Sequence, residues 1–514
     1  MSSRELSPAP TVREAGDPST SVIAALRSPT RLKTEVLAGL VVALALIPEA
    51  ISFAIIAGVD PRVGLFASFT MAVTIALVGG RPAMISAATG SIALVIAPLA
   101  RQYGLDYLVA AVLLAGVLQI LLSVLGVARL MRFIPRSVMV GFVNALAILI
   151  FTSQLPHLLG VPTLVYPFVA VGLVIMVFLP KLTTMVPAPL IAIVLLTVVA
   201  IVFSVRIPTV GDEGELPSSL PTLFFPDVPF TWATLSIIAP YALAMALVGL
   251  LESLMTAKLV DDITDTHSNK TREGWGQGVA NVVTGLFGGM GGCAMIGQTM
   301  INVKVSGART RISTFLAGLF LLGLVVGLGD IVALIPMAAL VAVMIMVSVG
   351  TMDWHSIAPT TLRRMPRSET LVMLSTVAVT VATHNLAYGV IVGALTAVVL
   401  FARRVAHLVT VEKITEPDEQ GSGRAVDSVT YRVRGELFFA SSNDLVYQFN
   451  YTDDPPNVVI DMSQSHIWDA STVAALDAVT TKYHARGKHV EIVGLNTDSA
   501  DRHDRLSGML GAAH

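Results

Sequence analysis

The chain has 514 residues, 54% of them hydrophobic and only 13% charged, with a mean hydropathy of +0.76. A soluble domain carries about 25% charge, so too little polar surface remains here to cover a water-soluble fold. A formal net charge of −2 gives no reason to expect nucleic-acid binding, and Cys293 as the only cysteine excludes an intrachain disulfide.

Residues 1–36 are polar, contain Pro8, Pro10, Pro18 and Pro29, and lack the apolar core of a cleavable signal peptide. They read as a cytoplasmic tail leading into a first membrane span. Apolar runs long enough to cross a bilayer, about 17–25 residues, then recur as far as residue 404. Allowing two short broken ones, the count is about 14. The first seven cores are 37–57, 62–78, 89–100, 107–126, 137–154, 164–179 and 188–204. The second seven are 234–257, 275–288, 297–304, 312–328, 331–349, 369–384 and 386–402.

Basic residues test the topology. With the N-terminus inside, the cytoplasmic connections hold Arg129, Arg132 and Arg136, then Lys181, then Lys258, Lys270 and Arg272. Further along come Arg309 and Arg311, Arg363, Arg364 and Arg367, and Arg403 and Arg404. The largest external loop, 206–232, holds Asp212, Glu213, Glu215 and Asp227 against a single Arg206. Both termini are therefore expected in the cytoplasm and the spans in the inner (plasma) membrane.

Two stretches repeat the same local text. Gly79-Gly80-Arg81-Pro82-Ala83-Met84-Ile85-Ser86-Ala87-Ala88-Thr89 follows Glu49, and Gly291-Gly292-Cys293-Ala294-Met295-Ile296-Gly297-Gln298-Thr299 follows Glu252. Duplicated glycine-broken hydrophobic segments point to a transporter's binding site, and an odd number of spans per half turns the second copy over, giving an inverted 7+7 repeat. Spans 3 and 10 are then half-helices entering from opposite sides with their N-termini facing. Unpaired N–H groups and the positive dipole ends suit an anion. Thr89, Gly90 and Ser91 start one half-helix, and Gly297, Gln298 and Thr299 the other; their hydroxyl and N–H donors match an oxyanion.

A carboxyl far inside a span must be paired, wet or protonated, which makes Glu49 and Glu252 candidate proton carriers. Phe53, one turn beyond Glu49, is a candidate pocket wall. His157, His267, His355 and His384 have no metal-ligand spacing, and no Walker motif is present. We expect no metal, no cofactor and no enzymatic activity.

From residue 405 the composition becomes soluble. A linker, 405–426, leads into a domain, 427–514, with an alternating strand at Val429–Gly435, buried strands at Asn457–Met462 and His489–Leu495, and helical spacing at Ala470–His484. This is a small α/β layer domain.

The text Gly249-Leu250-Leu251-Glu252-Ser253-Leu254-Met255-Thr256-Ala257-Lys258-Leu259-Val260-Asp261, with Gln277-Gly278-Val279-Ala280-Asn281 and Gly285-Leu286-Phe287-Gly288-Gly289, resembles the eighth and ninth spans of the SulP anion transporters, relatives of prestin and pendrin. Pro48-Glu49-Ala50-Ile51-Ser52-Phe53-Ala54 is similar to that family's first-span motif, where many relatives carry glutamine at the Glu49 position. Residues 427–514 resemble a STAS domain, with Ser471 at the phospho-acceptor position. The resemblance implies a core of spans 1–4 and 8–11, a gate of spans 5–7 and 12–14, and a homodimer in the bilayer. It implies transport of a small anion: dicarboxylate, bicarbonate or sulfate.

The position of Glu252 matches an acidic residue serving sodium coupling in some relatives, and several animal relatives have arginine where Gln298 aligns. Because glutamate, unlike glutamine, loses and regains a proton, the expectation is proton-coupled symport by elevator-like or rocking alternating access. The alternatives are sodium coupling, anion exchange or a passive anion channel on the same scaffold.

Overall fold

The computed structural model describes residues 20–126, 135–182, 188–406, 409–415 and 428–508. Arg129, Arg132 and most of the 405–426 linker lie outside the described residues. The chain divides into two compact units, Met1–Ala394 and Leu395–His514.

Pro29 opens α1 (Pro29–Ala57), where its fixed φ suits the first helical turn, and Gly58 closes it at φ 80°. Next come α2 (Pro61–Val78), α3 (Gly90–Val124), α4 (Arg136–Ser153), α5 (Val165–Leu182) and α6 (Ala188–Val202). Helix α3 is broken at Gly104, φ 83°, into the expected third and fourth segments. After the 206–232 loop come α7 (Trp232–Thr264), α8 (Lys270–Leu286) and α9 (Ile296–Met300), which continues as a π turn over Ile301–Val305. The membrane part ends with α10 (Arg311–Gly327), α11 (Met337–Thr351), α12 (Arg367–Thr383) and α13 (Leu386–Ala406). With α3 counted as two, these helices give fourteen segments among the described residues, beside short helical turns at Val22–Leu26, Gly329–Ala333, Trp354–Ile357 and Pro359–Arg364; seven of the helices are long and apolar enough to cross a membrane by themselves. The protein is a polytopic helical membrane protein.

The helices sort by packing. Helix α3 lies against α7 and α8, and α10 against α1 and α2; separately, α4 packs on α11 and α12, and α5 on α6 and α11. Buried polar groups pin the first set together. Glu35 of α1 accepts the backbone N–H groups of Arg309 at 2.8 Å, Thr310 at 3.0 Å and Ser313 at 3.2 Å, so a carboxylate satisfies orphan donors at the start of α10.

Strands β1 (Ser86–Ala87) and β2 (Cys293–Ala294) are two residues each and pair antiparallel, Ser86 with Ala294 and Ala87 with Cys293. The two chain halves therefore cross in mid-bundle. Backbones approach so closely that a Cβ on Gly292 would sit 2.0 Å from the Ala87 carbonyl oxygen. Only glycine fits there.

In the second unit β3 (Thr410–Thr415), β4 (Ser428–Leu437), β5 (Asn457–Ile467) and β6 (His489–Val493) form a sheet in that order, β3–β4 antiparallel and the rest parallel. Residues 410–415 read as linker because their alternation is short and charged; as an edge strand they need only one buried face. Helices α14 (Phe439–Leu445), α15 (Ala470–His484) and α16 (Thr497–Leu506) complete the domain. Val429, Tyr431 and Val433 of β4 point inward with Val458, Ile460 and Met462 of β5 and Val473, Leu476 and Val479 of α15. In this core Asp454 accepts from Tyr431 Oη at 2.8 Å, Tyr483 Oη at 2.5 Å and Lys413 Nζ at 2.6 Å. Burial opposes its charge, but these donors outweigh it and hold the carboxyl below its ordinary range.

Candidate functional site at the crossing of the chain halves

Immediately after β1 the chain turns into α3, and immediately after β2 into α9, so both helix starts share one crossing. Thr89 is the N-cap of α3, its hydroxyl accepting from Ile92 N at 3.4 Å, and the helix proper begins at Gly90. Met295 occupies the same place before α9, and its N–H donates to the Ile85 carbonyl at 2.8 Å. The second half-helix starts at Ile296, one residue ahead of the predicted Gly297, and is a single α turn carried on by the π turn. Helix α3 is the longer dipole.

Glu252 stands under the first helix start. Its Oε2 accepts from Ser91 Oγ in a very short contact and from Cys293 Sγ at 3.0 Å. Thr89 Oγ1 lies 3.1 Å from Ser91 Oγ and 3.2 Å from Cys293 Sγ, so hydroxyls of one half, the thiol of the other and the α7 carboxyl form one cluster. These side chains are all buried. Cys293 is a member that sequence reasoning did not single out. Its place in the second repeat text was the available signal.

Glu49 stands under the second helix start. Gln298 Nε2 donates to Glu49 Oε1 at 2.9 Å, while Gln298 Oε1 is buried with no hydrogen-bond partner among the described residues. The proline at 48 leaves α1 with one helical bond fewer, and Ser52 Oγ donates to the Pro48 carbonyl at 2.8 Å. Phe53 is buried against Gly90: a Cβ on that glycine would lie 2.9 Å from Phe53 Cε1. The ring thus walls the α3 start. Gly297 is exposed, and a Cβ there would meet nothing within 4 Å. Thr299 turns away from this space, donating to the Ile85 carbonyl at 3.4 Å and accepting the Ile85 N–H at 3.0 Å. Thr299 braces the crossing.

Helix α8 holds both approaches to the crossing through one face, with polar residues at i, i+4 and i+8. Glu273 Oε2 accepts the N–H groups of Gly80 at 2.7 Å and Arg81 at 2.8 Å. Gln277 Nε2 donates to Ser86 Oγ at 2.7 Å. Asn281 takes the Gly292 N–H at 2.9 Å and returns a bond to the Gly292 carbonyl at 3.0 Å, while also donating to Gln119 Oε1 at 2.8 Å. That spacing was the unread signal for these residues. A cavity of about 420 Å³ lies farther along α1, lined by residues including Ile55, Val59, Asp60, Ala100 and Glu213, and none of the crossing residues lines it.

In the soluble domain Ser471 is exposed. Asp469 caps α15, accepting from Thr472 N and Thr472 Oγ1, both at 3.1 Å, and its other oxygen accepts Phe439 N at 2.6 Å. Asp461 is engaged by Arg432 Nε at 3.1 Å and Ser463 N at 3.0 Å.

The chain is 52% identical over 468 residues to the Bacillus subtilis protein named "Putative sulfate transporter YbaR", covering 91% of this chain and 95% of that one. It is 26% identical over 530 residues to the bicarbonate transporter BicA of Picosynechococcus sp., covering 92% and 91% of the two chains. Among solved structures, the transmembrane domain of a cyanobacterial BicA superposes with a TM-score of 0.62 at 26% identity, over 70% of this chain and 98% of that one. SLC26A9 shares the fold with a TM-score of 0.76 at 16% identity, over 92% and 86%. Residues 418–507 match the STAS domain, and residues 32–178 and 167–376 match the Sulfate permease family. With an apolar helical unit whose two halves meet at β1 and β2, and a separate sheet domain, this chain belongs to the sulfate permease family, whose members are transporters and not enzymes.

Proposed function

We propose that the protein is a secondary active transporter that carries a small anion together with a proton. The observation that carries this reading is the antiparallel pairing of Ala87 with Cys293, which sets the start of α3, Gln298 and the open space beside Gly297 around one point. N–H groups and a dipole end there offer an anion site without a cationic side chain. Glu49 and Glu252, each bonded to a residue of a helix start, are the proton-coupling groups. Thr89, Gly90, Ser91, Gly297, Gln298 and Thr299 form the anion site, some directly and some by bracing it, and Phe53 forms its wall.

Bicarbonate and sulfate transporters among the relatives support an oxyanion, and a dicarboxylate fits the same donors. The two packing groups of helices support an elevator-like or rocking movement of α1–α3 and α7–α10 against the rest. We place the protein in the plasma membrane with both termini cytoplasmic, on the distribution of basic residues, and take it to be a homodimer on its resemblance to the SulP transporters. The 1–36 tail, the 37–404 transport domain and the 427–514 STAS domain, joined by a linker, are the working divisions, and Ser471, exposed beside the Asp469 cap, is a regulatory position.

Radiotracer uptake into proteoliposomes, with sulfate, bicarbonate and succinate under imposed gradients, tests the reading. Acceleration of one of them by an inward proton gradient is expected. Stimulation by sodium alone favours sodium coupling at Glu252, uptake only against a counter-anion favours exchange, and gradient-independent flux favours a channel.

A further inference from the structure

We infer that Gln298 couples protonation of Glu49 to anion binding by reversing its side-chain amide; this rests on the proton-coupled reading above. An ionised carboxylate only accepts hydrogen bonds. With Glu49 ionised, the amide must turn its NH₂ toward it, as it does at 2.9 Å. The cost is visible at the other end: Gln298 Oε1 is buried without a partner, although Gln298 is only 2% exposed. In this orientation the residue shows an acceptor to its remaining surroundings, and an acceptor repels an anion.

When Glu49 takes a proton from water, an O–H bond forms on the carboxyl and the carboxyl becomes a donor. Rotation of the amide about its last torsion then lets Oε1 accept from Glu49. That satisfies the orphaned oxygen and releases the NH₂ group. Both of its hydrogens are then free of Glu49 and available to an anion held at the start of α9. Proton and anion bind together, each strengthening the other by the same factor, and when the proton leaves Glu49 for water on the far side the amide swings back and the anion is released with it.

Gln298 is suited to this relay because no charged group competes for Glu49. On the helices packed against α1, Arg62 pairs with Glu215 at 2.5 Å and Arg101 donates to the Ile56 carbonyl at 3.1 Å. Asp106 accepts Asp227 N at 3.0 Å, and Arg311 donates to the Gly79 carbonyl at 2.6 Å. Lys304, on the π turn, is exposed. Glu252 is held by Ser91 and Cys293. Among the described residues, Gln298 is the polar side chain bonded to Glu49.

The test is the apparent KM for [³⁵S]sulfate, [¹⁴C]bicarbonate and [¹⁴C]succinate, each alone, in proteoliposomes of the full chain from about pH 5.5 to 8.5; sulfate keeps its charge throughout. In the native protein KM should rise toward tenfold per pH unit once Glu49 deprotonates, the limit for one linked proton. Gln298→Met should raise KM at low pH and flatten the slope. Glu49→Gln, which has no proton to release and whose NH₂ can donate to Gln298 Oε1 at every pH, should bind independently of pH. Gln298→Met that keeps the native slope with a uniformly higher KM overturns the relay and leaves proton coupling standing. A native protein with flat KM and no response to a proton gradient overturns the proton-coupled reading itself. Should Gln298→Met not fold, Glu49→Gln decides: a KM that keeps the native pH slope overturns the relay.

Discussion

Gln298 of the second half of the chain donates from Nε2 to Oε1 of Glu49 in the first half, 249 positions away, at 2.9 Å. Across the crossing, Ser91 of the first half and Cys293 of the second meet on Glu252. Each carboxyl thus stands under one helix start. The arrangement gives each neutral hydrogen-bonding partners and no ion pair among the described residues.

Glu49→Gln keeps the shape of the side chain and removes its ability to release a proton. An inward proton gradient should accelerate uptake by the native protein and leave this variant unaffected, with yield and monodispersity unchanged. Uptake at several imposed gradients checks it. An unchanged gradient dependence removes Glu49 from the coupling.

Gly297→Leu should abolish most transport, by tenfold or more, without loss of folded protein. A Cβ at Gly297 meets no atom within 4 Å, so the added side chain starts into open space rather than into packed neighbours. Initial uptake rates beside chromatographic yield measure both halves of this statement. Normal transport by Gly297→Leu moves the anion site elsewhere.

Asn281→Leu should lower the melting temperature of the detergent-solubilised protein. It strips both bonds from the Gly292 backbone and one from Gln119. Leaving buried polar groups unpaired costs about 1–3 kcal/mol each. Ser471→Ala, on the exposed start of α15, should leave the melting temperature unchanged, whereas Asp469→Ala should cost about 1 kcal/mol through the lost cap.

Asp454→Asn should destabilise the separately produced residues 405–514 by about 2–3 kcal/mol near neutral pH, because a charged acceptor of three hydrogen bonds is lost. The carboxyl's folded-state affinity for protons is depressed, so its contribution is present above the unfolded value near pH 4 and fades as pH falls through the lower folded value. Urea melts at pH 7 and pH 3 should therefore show the gap between native and variant closing in acid. A gap that widens in acid contradicts the assignment.

The strongly periodic parts of this chain were legible from sequence. Apolar runs of span length announce themselves because the bilayer demands them, and the repeated Gly-Gly text marked both approaches to the crossing. The sequence also pointed to Glu49 and Glu252, since a carboxyl within a span is conspicuous. It did not show that Thr299 would spend its hydroxyl on Ile85, 214 positions away, or that Cys293 would bond Glu252, 41 positions away, because both depend on how separate segments register in three dimensions. Glu273, Gln277 and Asn281 were hidden by their helix: among small and polar neighbours, a buried polar face reads like an exposed one. Strand β3 escaped for a related reason, since Glu412 and Lys413 look like linker until β4 pairs with them.

The claim that the crossing is the anion site is tested most directly by substrate protection. A Gly297→Cys variant, with the native Cys293 buried, should react with a water-soluble thiol reagent in proteoliposomes, and the transported anion should slow that reaction in proportion to its occupancy. Protection at Gly297→Cys and none at Val59→Cys, in the cavity farther along α1, is the predicted result. Labelling at position 297 that ignores saturating anion, with protection appearing at position 59 instead, contradicts the account.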